Sequence, residues 1–151
     1  MALIVQKYGG TSVGSVERIE AVADRIAKNH ATGDQLIVVV SAMSGETNRL
    51  LGLASDLTSD PSPRELDVLV STGEQVSMAL LSMALHVRGI PALSLKGSQV
   101  AIRTDSFHNK ARIQSIDDRR LRSELAAGKV VVVAGFQGVD ENGETTTLGR
   151  G

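Results

Sequence analysis

Leu3-Ile4-Val5-Gln6-Lys7-Tyr8-Gly9-Gly10-Thr11-Ser12, followed a helix's length later by Gln35-Leu36-Ile37-Val38-Val39-Val40-Ser41-Ala42, decides the fold class. Ala2 to Tyr8 is an apolar run that stops at a glycine pair, the pattern of a buried strand. Ser15 is placed to cap a helix from Val16 to about Asn29, with Ile19, Val22, Ala23 and Ile26 on one face and Gly33 closing the unit. Gln35 to Val40 is a second strand of strong β formers. Strand, helix and strand in some forty residues make a βαβ unit, whose crossover is right-handed in nearly all proteins.

The rest of the chain repeats that alternation. Gly45 to Leu57 reads as a helix with Leu50, Leu51, Leu53 and Ala54 on its apolar side. Ser62-Pro63-Arg64-Glu65 combines a capping Ser, a first-turn Pro and a Glu at the third helical position. Ser71-Thr72-Gly73-Glu74 offers the same spacing and opens a helix to about Val87, ended by Gly89 and Pro91. Ala92 to Leu95 is a third strand, and Val100 to Ile116 is irregular or short β. Asp117-Asp118 caps a helix to Ala127, and Lys129 to Ala134 is the clearest buried strand. Asp140 to Glu144 has the look of a hairpin tip. These elements predict a three-layer αβα sandwich with a mainly parallel sheet.

Bulk composition supports that architecture. Hydrophobic residues make up 42% of the 151 and aromatics only 2%, so the core is aliphatic, as suits a sheet buried on both faces. The mean hydropathy of +0.03 is ordinary for a globular domain. Basic and acidic residues (16 and 17) are scattered with no basic stripe, which argues against a nucleic-acid partner. The absence of cysteine excludes a disulfide scaffold and a thiolate metal site. The N-terminus lacks the order of charge and apolar residues that a secretory signal needs. The longest apolar-rich segment, Met78 to Val87, is too short to span a bilayer. A cytoplasmic protein with no membrane partner is expected. The chain stops at Thr147-Leu148-Gly149-Arg150-Gly151 inside a glycine-rich stretch, which suggests a truncated domain.

Three strands end in small, polar loops: Gly9 to Ser12, Ser41 to Ser44 and Gly135 to Gly138. In open parallel sheets ligands bind beyond the carboxyl ends of strands, so these loops should surround one cleft. Gly9 and Gly10 let backbone N–H groups approach a phosphate, and Lys7 offers a full charge beside them. The spacing fits neither a P-loop nor a dinucleotide fingerprint, and a tight turn with a solvated lysine explains the residues equally well. Glu74, as the third helical residue after Ser71, is read first as closing a capping box, ahead of any functional role. Thr47 and Ser44 share that capping alternative, and Arg150 is either a carboxylate clamp or a solvated loop residue. His30, His86 and His108 form no metal-ligand pattern.

The blocks Lys7-Tyr8-Gly9-Gly10-Thr11-Ser12, Val40-Ser41-Ala42-Met43-Ser44-Gly45, Ser71-Thr72-Gly73-Glu74-Gln75, Gly135-Phe136-Gln137-Gly138 and Thr145-Thr146-Thr147-Leu148-Gly149-Arg150-Gly151 stand in the order found in aspartate kinases, and the chain resembles that branch of the amino acid kinase family. The resemblance implies ATP-dependent phosphorylation of the side-chain carboxylate of L-aspartate, the first step towards lysine, threonine and methionine. It implies ATP as co-substrate, with magnesium, and self-association or assembly with other aspartate kinase subunits. By the same resemblance Lys7 neutralises the transferring phosphoryl group, while Lys7, Tyr8, Gly9, Gly10 and Ser41 form the phosphate side. Thr47, Glu74 and Arg150 would hold aspartate, Glu74 through its ammonium group. The family continues past Gly151 with a Gly-Ser-Asp segment, the rest of the nucleotide site and, in regulated members, effector-binding domains. Residues 1–151 are therefore expected to be the N-terminal part of a catalytic domain and inactive alone. The rival readings are another amino acid kinase, a silent assembly module and, least favoured, a dinucleotide-binding domain.

Overall fold

The computed structural model describes residues 1–149. The βαβ unit forms as the pattern predicts. β1 (Leu3–Tyr8) leads to α1 (Val16–Ala31), which ends two residues later than expected, and then to β2 (Gln35–Val40). Ser15 Oγ accepts the Arg18 N–H at 3.2 Å, and Ile19, Val22, Ala23 and Ile26 are buried. α2 (Glu46–Leu57) begins one residue later than the sequence suggests, because Gly45 occupies the cap position at φ +81°, where a side chain would be strained. Only Leu50 and Ala54 of its apolar side are buried; Leu53 is exposed.

α3 (Pro63–Val70) and α4 (Thr72–Val87) were expected as separate helices, yet they join. Ser71 adopts helical dihedrals and its N–H bonds the Asp67 carbonyl, giving a helical run from Pro63 to Val87 of 25 residues. By length and composition this run is long and apolar enough to cross a membrane, unlike the shorter segment read from the sequence. Half of its most apolar window is buried inside the fold, however, where Met78, Leu81 and Leu85 pack on the sheet as a core helix does.

β3 (Ala92–Leu95), β4 (Ile102–Thr104), β5 (Ile113–Ile116), α5 (Arg119–Ala126), β6 (Val130–Ala134), β7 (Gln137–Val139) and β8 (Thr145–Thr147) complete the chain. The main sheet runs β1-β2-β6-β3, all parallel. Each residue of β6 is buried, as a central strand covered on both faces must be. On one face, Val38, Val40, Val130 and Val132 meet α1 and α4. On the other, Val131 and Val133 meet Leu125 of α5. This is the predicted αβα layering, but α5 covers only part of its face, and Leu3 and Val5 on β1 stay exposed.

A second sheet, β5-β4-β7-β8, was not legible from the sequence. It is mostly antiparallel, with β7 and β8 forming the hairpin expected around Asp140 to Glu144. Asp140 Oδ1 accepts the N–H groups of Asn142 and Glu144 at 2.9 Å each, which closes the tip. The two sheets meet where Gly97 crosses Gln137. A Cβ on Gly97 would lie 2.5 Å from the Gln137 carbonyl oxygen, so only glycine fits there.

Candidate active site

Because β1, β2 and β6 run parallel, their carboxyl ends share one edge of the sheet, and the three loops predicted to converge do so. They line a cleft of about 770 Å³ with Lys7, Gly10, Thr11, Ser41, Thr47, Glu74, Phe136 and Gly149 among its walls. Gln137 and Gly138 are the exception: they belong to β7, and the buried Gln137 side chain donates to the Ser71 carbonyl at 3.0 Å.

Strand alternation separates Lys7 from Tyr8. Lys7 is exposed, pairs in register with Val39 and faces the cleft. The Tyr8 side chain turns the other way into the core, where its hydroxyl donates to Gln6 Oε1 at 3.0 Å. Only the Tyr8 backbone stands at the loop, so the side chain that the sequence placed on the phosphate side lies away from the cleft. After β1 the chain turns tightly, with Ser12 N–H bonding the Gly9 carbonyl at 3.0 Å. Gly10 lines the cleft and packs against the second loop; a Cβ there would sit 3.2 Å from the Ala42 carbonyl oxygen. Gly9 does not reach the cleft wall.

Thr47 lies in the first turn of α2, facing the cleft beside Asn48. No side chain caps this helix, so the capping explanation for Ser44 and Thr47 fails. The capping box around Glu74 fails as well. The Ser71 hydroxyl donates back to the Val68 carbonyl at 3.0 Å, because the chain is already helical there.

Glu74 is 3% exposed, and its Oε2 has no hydrogen-bond partner among the described residues. Burial pushes its carboxyl up to about 7, moderated by the backbone N–H groups of Glu74 itself and Ala42. The first turns of α4 are stitched to the Ser41–Ala42 loop. Ser77 Oγ donates to the Ser41 carbonyl at 2.6 Å, and a Cβ on Gly73 would come within 2.8 Å of Ala42 Cβ. The carboxyl group thus sits at the cleft wall on a helix packed tightly against that loop, with one oxygen unpartnered among the described residues. An unsatisfied buried acceptor is costly, and a cation or donor entering the cleft would relieve it.

Phe136, which sequence reasoning passed over, also lines the cleft, and its backbone has φ +68°. A bulky residue in the left-handed region costs on the order of 1–2 kcal/mol, and such strain gathers at functional sites. Its place after a strand end and a glycine was the available signal. Arg150 lies outside the described residues. The cleft thus brings together a glycine loop, a lysine and, among the described residues, a single acid, a layout suited to a ligand carrying both anionic and cationic groups.

A family model described as the amino acid kinase family matches residues 2–151. Over all 151 residues the chain is 68% identical to the aspartate kinase of Pseudomonas putida, spanning 37% of that protein's length. Its fold matches the crystal structure of aspartate kinase from Synechocystis at a TM-score of 0.82 with 51% identity, covering 99% of this chain and 24% of that one. E. coli aspartokinase III in complex with aspartate and ADP matches at 0.83 with 25% identity, over 100% of this chain and 44% of that one. With the family match running from the second residue to the last, the chain belongs to the amino acid kinase family.

Proposed function

We propose that this chain is the N-terminal part of the catalytic domain of an aspartate kinase, which transfers the γ-phosphoryl group of ATP to the side-chain carboxylate of L-aspartate. The observation that carries the reading is the buried Glu74 carboxyl group at the cleft wall, one of whose oxygens has no partner among the described residues. An amino-acid acceptor brings the ammonium group that this oxygen lacks, and the 68% identity to an aspartate kinase favours aspartate over other acceptors.

In the reaction, an oxygen of the acceptor carboxylate attacks the γ-phosphorus as the bond from that phosphorus to the bridging oxygen breaks, giving 4-phospho-L-aspartate and ADP. The acceptor is already ionised at neutral pH, since a free Asp side chain titrates at about 3.9, so the protein need not remove a proton. Its task is positioning and charge neutralisation. Lys7, exposed at the end of β1, meets the negative charge of the transferring group. Gly10, on the cleft wall, turns its backbone towards the nucleotide phosphates. Ser41 stands beside them, Thr47 and Glu74 fix the acceptor, and Arg150 takes a carboxylate.

The family also implies magnesium, but the described residues do not form a site to hold it. Glu74 is the one carboxylate on the described cleft wall, and no group of three His, Asp or Glu side chains clusters among the described residues. Incubating the full-length enzyme with ATP, L-aspartate and hydroxylamine tests the reading. Aspartyl hydroxamate should form in proportion to enzyme. Its absence, or a preference for glutamate or acetylglutamate, would refute the assignment.

A further inference from the structure

Away from the cleft, the most completely enclosed charged side chain is Asp67, on α3 and 0% exposed. Its Oδ1 accepts from Thr147 Oγ1 and Asn109 Nδ2, both at 2.5 Å. Its Oδ2 accepts from His108 Nδ1 at 2.7 Å, Thr147 N–H at 3.1 Å and Asn109 N–H at 3.3 Å. Burying a carboxylate is tolerable only when its oxygens are satisfied in this way. The donors come from the 108–109 turn and from β8, up to 80 residues away in sequence. Asn109 sits at φ +70°, a conformation asparagine tolerates better than most residues.

The position of Asp67 on its helix gives the cluster its consequence. Asp67, Ser71 and Glu74 are spaced i, i+4 and i+7, so they share one face of the continuous run from Pro63 to Val87. At Ser71 that face accepts the Gln137 amide, and at Glu74 it reaches the cleft. Asp67 and Glu74 lie about 10 Å apart along the axis. On the other side of the clasp, Thr147 is followed directly by Leu148 and Gly149, which line the same cleft. An apolar residue at 67 could fill the space, but it would not fix where Thr147 lies along the helix.

We infer that Asp67 is a positioning residue. By gripping Thr147 it sets the Leu148–Gly149 wall at a fixed distance from Glu74, and so defines the acceptor end of the cleft. The inference rests on the reading of that end as the amino-acid site.

The test uses Thr147→Val and Thr147→Ser in the full-length enzyme, with Asp67→Asn as a second disruption. Steady-state kinetics in both substrates would be paired with amide hydrogen exchange over residues 144–149. Thr147→Val removes the hydroxyl donor at nearly constant volume. It should raise KM for L-aspartate by about tenfold or more while KM for ATP stays unchanged, the size expected for a hydrogen bond to a charged group. Exchange at 144–149 should accelerate while β6 stays protected. Thr147→Ser keeps the hydroxyl and should restore both readouts, whereas Asp67→Asn should reproduce the valine phenotype. Equal rises in both KM values, a loss confined to kcat, or unchanged exchange in Thr147→Val would overturn the inference. A wild-type enzyme that turns over ATP but ignores aspartate would instead refute the functional reading. The exchange data would then still decide whether Asp67 holds the segment.

Discussion

Replacing Glu74 by Gln should stabilise the ligand-free protein at alkaline pH while crippling its use of aspartate. Burial raises the Glu74 carboxyl from an ordinary 4.5 to about 7. Between those values the folded protein holds more protons than the unfolded chain, so stability falls as pH rises across the window and stays low above it. At about 1.4 kcal/mol per pH unit, the rise corresponds to about 3 kcal/mol of destabilisation at pH 8. Gln cannot ionise, and its carbonyl can keep the backbone N–H bonds that moderate the Glu74 shift. Denaturant unfolding of wild type and Glu74→Gln from pH 4.5 to 8 should therefore give curves that coincide at the acid end. They should diverge upwards, with the variant more stable by about 3 kcal/mol at pH 8. In steady-state assays the variant should raise KM for L-aspartate at least about tenfold, since a charge-assisted bond to the ammonium is lost, and leave KM for ATP in place. A variant less stable than wild type at pH 8, or parallel pH curves, would show that Glu74 carries no burial penalty.

Lys7→Ala should lower kcat by on the order of 10²-fold without moving the melting temperature, because Lys7 is exposed at a strand end; kcat near wild type in a folded variant would remove it from the mechanism. Gly73→Ala should force α4 away from Ala42, costing about 1–3 kcal/mol and raising KM for aspartate, and adding Ala42→Gly should restore much of both. No recovery in the double variant would mean that the collision is not the cause. Leu81→Ala, at a fully buried position of α4, should destabilise by about 2–5 kcal/mol with the KM values little changed; a smaller loss in chemical denaturation would contradict the packing described.

Much of the fold was legible because its signals are local. The Val-rich strands, the Ser15 cap and the Ser62-Pro63 start act over a few residues, and parallel strand order then forces the three loops to one edge. The joining of α3 and α4 was not legible. Ser71-Thr72-Gly73-Glu74 has the letters of a helix start, but Ser71 is itself helical and its hydroxyl turns back to Val68. Reading those letters as a cap hid the unsatisfied state of Glu74, which depends on burial against Ala42. Asp67 was missed for a related reason. Its partners lie 41, 42 and 80 residues away, beyond any local pattern. A trace of it was present, since Leu66-Asp67-Val68-Leu69-Val70 is an apolar run interrupted by a single acid. The second sheet was obscured because its strands have three or four residues each, too few to show alternation.

The most direct test of the acceptor site is a carbon-13 NMR titration of the Glu74 carboxyl in the full-length enzyme, with and without L-aspartate. Without ligand it should titrate near 7, as its burial dictates. Saturating L-aspartate should drive the value down by more than a unit, because an ammonium group at the free oxygen favours the ionised form. A Glu74 that titrates at an ordinary carboxylate value, or one that L-aspartate leaves unmoved, would contradict the assignment of this cleft to an amino-acid acceptor.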